Sequence, residues 1–307
     1  MDHPRDTASE ERTRRQRRAM LLMLACVLVF CLMDAALKAL VAHYPPFQVA
    51  ALRGASSLPW LLAWAAATTG LRPLLRARWS LHLLRGAIGV MMMATFVYAL
   101  QTLPLSTAYT IFFVAPLLIT ALSVPMLREH VGPRRWTAIA AGFLGVLVVL
   151  RPGGEGLLSM AGLAVLLAAL GYAVSAITVR ILARTDSTQS MVVWLMVFLA
   201  LGAGALALPE WREIRGEHAW LVVGLGVAGA LGQYLITEAF RLGEASLLAP
   251  LEYTALVWGV LLDVALWGVL PRPVTWLGAA IIIASGLYLF RRERVLETGS
   301  AAAQEEP

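Results

Sequence analysis

Hydrophobic residues run along the chain in about ten stretches, parted by short polar turns. They lie near 19–42, 47–69, 83–101, 105–127, 136–150, 157–182, 190–208, 219–240, 246–269 and 275–290. A helix rises 1.5 Å per residue, so about 20 apolar residues cross the hydrocarbon core of a bilayer. The pattern therefore predicts an all-α polytopic membrane protein of ten transmembrane helices. Most of the stretches are interrupted by Gly or Pro.

The ten stretches fall into two sets of five, and a related phrase recurs. The first copy reads Tyr98-Ala-Leu-Gln-Thr-Leu-Pro-Leu-Ser-Thr-Ala108 and the second Glu238-Ala-Phe-Arg-Leu-Gly-Glu-Ala-Ser-Leu-Leu248. At an offset of 140 residues Ala99 falls on Ala239 and Ser106 on Ser246. Two halves with an odd number of spans insert in opposite directions, which is the organisation of secondary transporters. The expected division is a basic tail over 1–18, a first five-helix repeat over 19–150, an inverted second repeat over 157–290 and a tail over 291–307. Both tails are expected to be cytoplasmic and disordered.

Composition agrees with a membrane setting. Of the 307 residues, 59% are hydrophobic and only 14% charged, against about 25% charged in an average soluble domain. A net charge of +6 would suggest nucleic acid in a soluble protein, but its placement argues otherwise. With the N-terminus inside, nineteen arginines fall on the cytoplasmic side and only Arg151, Arg212, Arg215 and Arg272 on the other. That is the positive-inside asymmetry, and it puts both termini in the cytoplasm. Cys26 and Cys31 are five residues apart on one helix and point to different faces, so they form no disulfide with each other. The first apolar run, some twenty residues long, is read as a retained span rather than a cleaved leader.

Charges inside spans are costly and mark functional sites or structural pairs. Asp34 and Lys38 lie four apart in the first span, on one helical face and able to pair. Counting from the Tyr44-Pro-Pro turn, Arg53 in the second span reaches about the depth of Asp34, and Asp263 in the ninth comes to a comparable level. These four are the candidate periplasmic gate or charge pair. Nearer the cytoplasm stand Glu238 and Glu252, with Arg241 and Glu244 read as loop residues. Glu252, Tyr253, Trp258, Tyr234, Glu238 and Tyr98 are the candidate substrate-binding residues, because acids and aromatics together suit a polar solute. The Met91-Met92-Met93 run is read as packing. Gly224, Ala228 and Gly232 recur every four residues, spacing that lets helices approach closely.

Other chemistry is largely excluded. Lys38 is the sole lysine, so the chain has no Walker A phosphate loop. Gly224-Leu-Gly-Val-Ala-Gly229 matches a dinucleotide fingerprint in letters but lies within a span, without the strand that motif requires. The five histidines lack metal-ligand spacing. No catalytic arrangement, metal site or cofactor is expected.

Several phrases together resemble the EamA-type branch of the drug/metabolite transporter superfamily. They are Lys38 followed by Pro46 and Arg53, Leu84-Arg-Gly86, Ala115-Pro116, Leu127-Arg-Glu129, and Gly145-Val-Leu-Val-Val-Leu-Arg-Pro-Gly153. Ala249-Pro-Leu-Glu-Tyr253, Leu256-Val-Trp258 and Thr275-Trp-Leu-Gly-Ala-Ala-Ile-Ile-Ile-Ala-Ser-Gly286 complete the set. The resemblance implies ten helices in two inverted repeats around a central cavity, and transport of small metabolites without ATP. This sequence departs from the family pattern in two places. Trp267-Gly268-Val269 stands where relatives often carry a Phe-Gly-Glu-like phrase, and Asp263 replaces a small residue. The expected function is export of a small polar or amino-acid-derived metabolite across the bacterial inner membrane. The alternatives are import of a vitamin or nucleoside-like cofactor, or a lipid-translocating accessory subunit. The expected partners are a small-molecule solute and the lipid bilayer, with a homodimer admitted and nucleic acid not.

Overall fold

The computed structural model describes residues 4–75, 77–128, 132–150, 159–242 and 245–304. Glu129, residues 151–153 and Glu244 lie outside the described residues, as does the side chain of Arg241. Twelve α-helices are present among the described residues, and no strand. They are α1 (Pro4–Val41), α2 (Pro46–Thr68), α3 (Trp79–Leu100), α4 (Leu105–Phe112), α5 (Ala115–Leu127) and α6 (Pro133–Leu150). The second half holds α7 (Met160–Leu182), α8 (Thr188–Ala207), α9 (Ala219–Leu242), α10 (Ala245–Glu252), α11 (Thr254–Trp267) and α12 (Pro273–Gln304).

Local sequence explains the starts. Pro46 opens α2, where its missing N–H is no loss. Ser159 and Ser187 cap α7 and α8 by accepting the amides of Gly162 and Ser190 at 3.0 and 3.2 Å. The tails depart from expectation. The Arg-rich lead is helical from Pro4 and the C-terminal tail continues α12 to Gln304, because both stretches are rich in good helix formers. Arg241 likewise belongs to α9 rather than to a loop.

Two of the expected single spans are each two helices. The α4–α5 segment breaks at Phe113, just before Ala115-Pro116, and the α10–α11 segment breaks at Tyr253, just after Pro250. Proline removes a ladder donor and crowds the preceding turn, so both ladders tighten locally: Val114 N–H bonds the Ile111 carbonyl and Tyr253 N–H that of Pro250. The two breaks are 140 residues apart, the offset of the duplicated phrases. So are the left-handed residues that end the segments, Arg128 (φ 58°) and Gly268 (φ 65°).

Packing repeats the symmetry. With each broken segment counted as one unit, α1 packs on α9 as α7 packs on α3, and α2 packs on α9 as α8 packs on α3. The partners α2 with α8, α6 with α12 and α4 with α11 are their own counterparts. Fully buried Leu37, Leu100, Leu105, Ile111, Leu117 and Leu225 belong to one core drawn from both halves. Seven segments are long and apolar enough to cross a membrane: Arg14–Val41, Trp79–Leu100, Leu105–Met126, Met160–Val179, Thr188–Glu210, Gly216–Phe240 and Pro250–Trp267. The other three expected spans are helices too. However, α2 and α6 do not meet that criterion and the apolar part of α12, Pro273–Tyr288, is short.

The glycine-rich phrase of α9 is packing surface. A Cβ on Gly226 would fall on the backbone carbonyl of Ser56, and one on Gly229 would lie 2.7 Å from Ser57 Oγ, so α2 and α9 touch through backbone. Gly232 meets the Phe30 ring, whereas Gly224 has nothing within 4 Å. Of the expected stripe, Ala228 packs against the core and Gly232 against Phe30, Gly224 packs on nothing, and the closest approaches fall at Gly226 and Gly229. Gly226→Ala is expected to destabilise the protein by about 1–3 kcal/mol, since backbone cannot yield as a side chain can. Gly224→Ala should be neutral or gain up to about 1 kcal/mol of helix propensity. Thermal unfolding in detergent, followed by tryptophan fluorescence, separates the two.

At the end of the bundle holding the α7–α8 turn, Asp186 pins that turn to α3. Its carboxylate accepts from Thr185 Oγ1 at 2.6 Å, His82 Nε2 at 2.7 Å and the Arg78 amide at 3.3 Å. Burial alone pushes its pKa up, but these donors outweigh it and hold the carboxyl below its ordinary 3.8. A pKa lower in the folded state means that the stabilisation is present above the unfolded value and is lost as pH falls through the folded one. Asp186→Asn is therefore expected to lower the unfolding midpoint at neutral pH, by a stabilisation on the order of 1 kcal/mol. The gap to wild type should close below about pH 3.8. Unfolding midpoints measured from pH 7 down to pH 3 test this.

Candidate functional site

The α4 helix starts just after Pro104, and its first amides have no partner within the helix. Asp263 of α11 supplies the acceptors. Its Oδ1 takes the Leu105 amide at 2.9 Å, and its Oδ2 takes the Ser106 amide at 2.8 Å and the Ser106 hydroxyl at 2.7 Å. The side chain is 0% exposed, so it faces the interior of the bundle. A carboxylate at a helix N-terminus also meets the positive end of the helix dipole.

Lys38 of α1 completes this group. Its Nζ donates to the Leu103 carbonyl at 2.8 Å, lies 3.5 Å from Asp263 Oδ1 and sits 4.7 Å from the centre of the Trp267 ring. Of the two partners expected for Asp34, Lys38 or Arg53, Lys38 does not pair with it. A surface pair four apart on a helix is worth only about 0.2–0.5 kcal/mol, whereas a fully buried carboxylate left without a cation is strongly destabilising. Lys38 therefore turns to Asp263, where it links α1, the end of the α3–α4 turn and α11.

Asp34 takes a different partner, the Tyr109 hydroxyl of α4, which donates to Oδ2 at 2.9 Å. Arg53 of α2 lies within electrostatic reach of Asp34, yet among the described residues no ion pair or hydrogen bond joins them. Arg53 Nη1 contacts the Met196 thioether at 3.7 Å, and its Nε is buried with no partner, as is Ser56 Oγ.

The second group gathers at the two helix breaks. Phe113 and Tyr253, counterparts across the 140-residue offset, meet edge to face with ring centroids 5.0 Å apart. The Tyr253 hydroxyl packs against Gly286 of α12 and is buried without a hydrogen bond. Glu252, the last residue of α10, acts electrostatically on Cys26 of α1, Tyr172 of α7 and Tyr253. Tyr172 stacks obliquely on Phe112 at 5.4 Å, and Phe112 meets Phe96 edge-on at 5.8 Å. Tyr172 keeps 40% of its surface exposed. Arg85 of α3 lies close enough to act on Tyr172, and it is held by Ser175 Oγ at 3.2 Å and the Met191 carbonyl at 2.7 Å.

The remaining candidates are scattered. Trp258 packs partly buried against the main core. Tyr98 and Tyr234 are 44% and 45% exposed on α3 and α9, and no hydrogen bond or ring contact among the described residues brings either to the two groups. Glu238 stands beside Ala239, which belongs to a small core with Ala19, Met23 and Leu248. Met91 and Met92 meet Gly171 of α7, a packing contact as expected. Cys26 and Cys31 are free and buried.

Sequence reasoning missed Tyr109, Tyr172, Phe112 and Phe113. It quoted Ser106 only for its place in the repeat. Pro104-Leu105-Ser106 is a helix-start signal whose free amides call for an acceptor, so Ser106 was within reach. The aromatics carry no local signal. His43 and His218, remote in sequence, stack at 4.6 Å, and Tyr44 bonds His218 Nδ1 at 2.8 Å. Among the described residues no group of three or more His, Cys, Asp or Glu side chains is placed to hold a metal ion.

Comparison with known proteins gives concordant results. The chain is 33% identical over 229 residues to a riboflavin transporter of Vibrio cholerae, covering 74% of this chain and 76% of that protein. It is 30% identical over 213 residues to a riboflavin transporter of Rhizobium johnstonii, covering 69% and 70% of the two chains. An S-adenosylmethionine uptake transporter of Rickettsia felis is 29% identical over 213 residues, with 69% and 72% covered. One solved crystal structure shares the fold at a TM-score of 0.64 and 22% identity, covering 89% of this chain and 96% of that one. The model of the EamA-like transporter family matches twice, over residues 17–151 and 159–291. With two matched repeats and relatives of this similarity, the chain is a multi-pass membrane protein that belongs to the EamA-like transporter family.

Proposed function

We propose that the protein takes up a heteroaromatic vitamin or nucleoside-like cofactor across the bacterial cytoplasmic membrane by alternating access, without ATP. The observation that carries this reading is the gathering of Phe112, Phe113, Tyr172 and Tyr253 with Glu252 where both repeats break their helices. Flat aromatic side chains around one carboxylate suit a flat ring system with polar edges. Helices interrupted at corresponding positions of two halves are where secondary transporters hold their solutes. The relatives add support, since they are named for riboflavin or S-adenosylmethionine and one name specifies uptake. The export of an amino-acid-derived solute expected from the sequence finds no such support.

In this reading α2, α6 and the apolar part of α12 also span, which makes ten spans in two inverted repeats with both termini cytoplasmic. Asp263, Lys38 and the start of α4 form the periplasmic gate. When it opens, the solute slides between the aromatic side chains beside Glu252. When it closes, the α10 side opens to the cytoplasm. Uptake is tested in a bacterium that can neither make riboflavin nor import it. Expression of this protein should restore growth on low external riboflavin. No rescue, together with no accumulation of S-adenosylmethionine in a matched strain, counts against the reading.

A further inference from the structure

Arg53 and Asp34 lie within electrostatic reach of each other with no hydrogen bond or ion pair joining them among the described residues, and each leaves hydrogen-bonding atoms unused. Of the guanidinium, only Nη1 has a hydrogen-bond partner among the described residues, a thioether that is a weak acceptor, and Nε is buried and unpartnered. Ser56, one helical turn beyond Arg53 on α2, has a buried hydroxyl that is also unpartnered. Asp34 commits Oδ2 to Tyr109, and its Oδ1 accepts no hydrogen bond from the described residues. Buried polar groups are nearly always satisfied, so the unpartnered Arg53 Nε and Ser56 Oγ point to a missing ligand group.

We infer that this pair grips the polar edge of the solute, and that the edge carries carbonyl oxygen beside an N–H, as an imide does. Arg53 donates to the carbonyl and Asp34 Oδ1 accepts the N–H. Tyr109 holds the carboxylate through Oδ2, which makes it a positioning residue. The complementarity is directional. A carboxylate alone would repel a carbonyl, and a guanidinium alone would not read the N–H. A site built to pair a ligand N–H strongly rejects an analogue that lacks it. The inference rests on the uptake of a heteroaromatic solute proposed above, and it adds which edge of that solute is read.

The test uses purified full-length protein in detergent and two probes, riboflavin and riboflavin methylated on its imide nitrogen, with binding followed by quenching of flavin fluorescence. Wild type should bind riboflavin at least about tenfold more tightly than the methylated form. Asp34→Ala should bring the two within about twofold of each other, chiefly by weakening riboflavin. Asp34→Asn, which keeps the volume, guards against a folding defect, and it should also lose most of the discrimination. Riboflavin bound equally with its methylated form overturns this inference and leaves the proposed uptake standing. Discrimination that survives in both Asp34 variants overturns it too. No flavin binding by wild type overturns both.

Discussion

Asp263→Ala is expected to abolish transport and to lower the unfolding midpoint in detergent more than removal of any other membrane carboxylate. The change strips the Leu105 and Ser106 amides and the Ser106 hydroxyl of their acceptor. It also leaves Lys38, whose side chain is 12% exposed, without its counter-charge. Breaking a buried pair by removing one partner costs about 3–5 kcal/mol. The lost hydrogen bonds overlap with that figure rather than adding to it. Because both partners belong to one network, the double variant Lys38→Met/Asp263→Ala should be more stable than Asp263→Ala alone, yet still inactive. An Asp263→Ala protein with the wild-type midpoint and wild-type uptake would sink the proposed gate. A double variant less stable than the single one would show that Lys38 acts elsewhere.

Glu252→Gln is expected to uncouple transport from a pH gradient. Asp263 has Lys38 and Asp34 has Arg53 within reach, but no cation pairs with Glu252 among the described residues. A membrane carboxylate without a fixed counter-ion, beside the proposed solute position, is the group placed to exchange protons with the two sides in turn. Gln keeps the side chain's size and polarity and removes only the exchangeable charge. In proteoliposomes the variant should keep exchange of riboflavin across the bilayer while gradient-driven accumulation falls by about tenfold or more. Full gradient-driven accumulation by Glu252→Gln rules this residue out as the proton carrier. Loss of both activities makes it a binding residue only.

The parts of this architecture legible in the sequence were those written twice. The 140-residue offset noticed in Ala99/Ala239 and Ser106/Ser246 recurs in the breaks at Phe113 and Tyr253 and in the caps at Arg128 and Gly268. What stayed hidden was the rotation of each helix about its axis. A helix apolar on nearly every side has no polar face to show which way it turns. The sequence put Asp34, Lys38, Arg53 and Asp263 at similar depth, but it could not say that Lys38 turns to α11 and Asp34 to α4. For the same reason Tyr109 and Tyr172 read as ordinary span aromatics. Depth is a count along one helix, whereas partnership depends on two helices at once.

The central claim is ATP-independent uptake of a flavin-class or nucleoside-like solute. It is tested most directly in proteoliposomes that hold only the purified protein, with an imposed pH gradient and no nucleotide. The account predicts saturable accumulation of riboflavin above its external concentration, lost when the gradient is collapsed and lost with Asp263→Ala. Riboflavin and S-adenosylmethionine fluxes no greater than in protein-free liposomes, both under a gradient and under exchange, would contradict it.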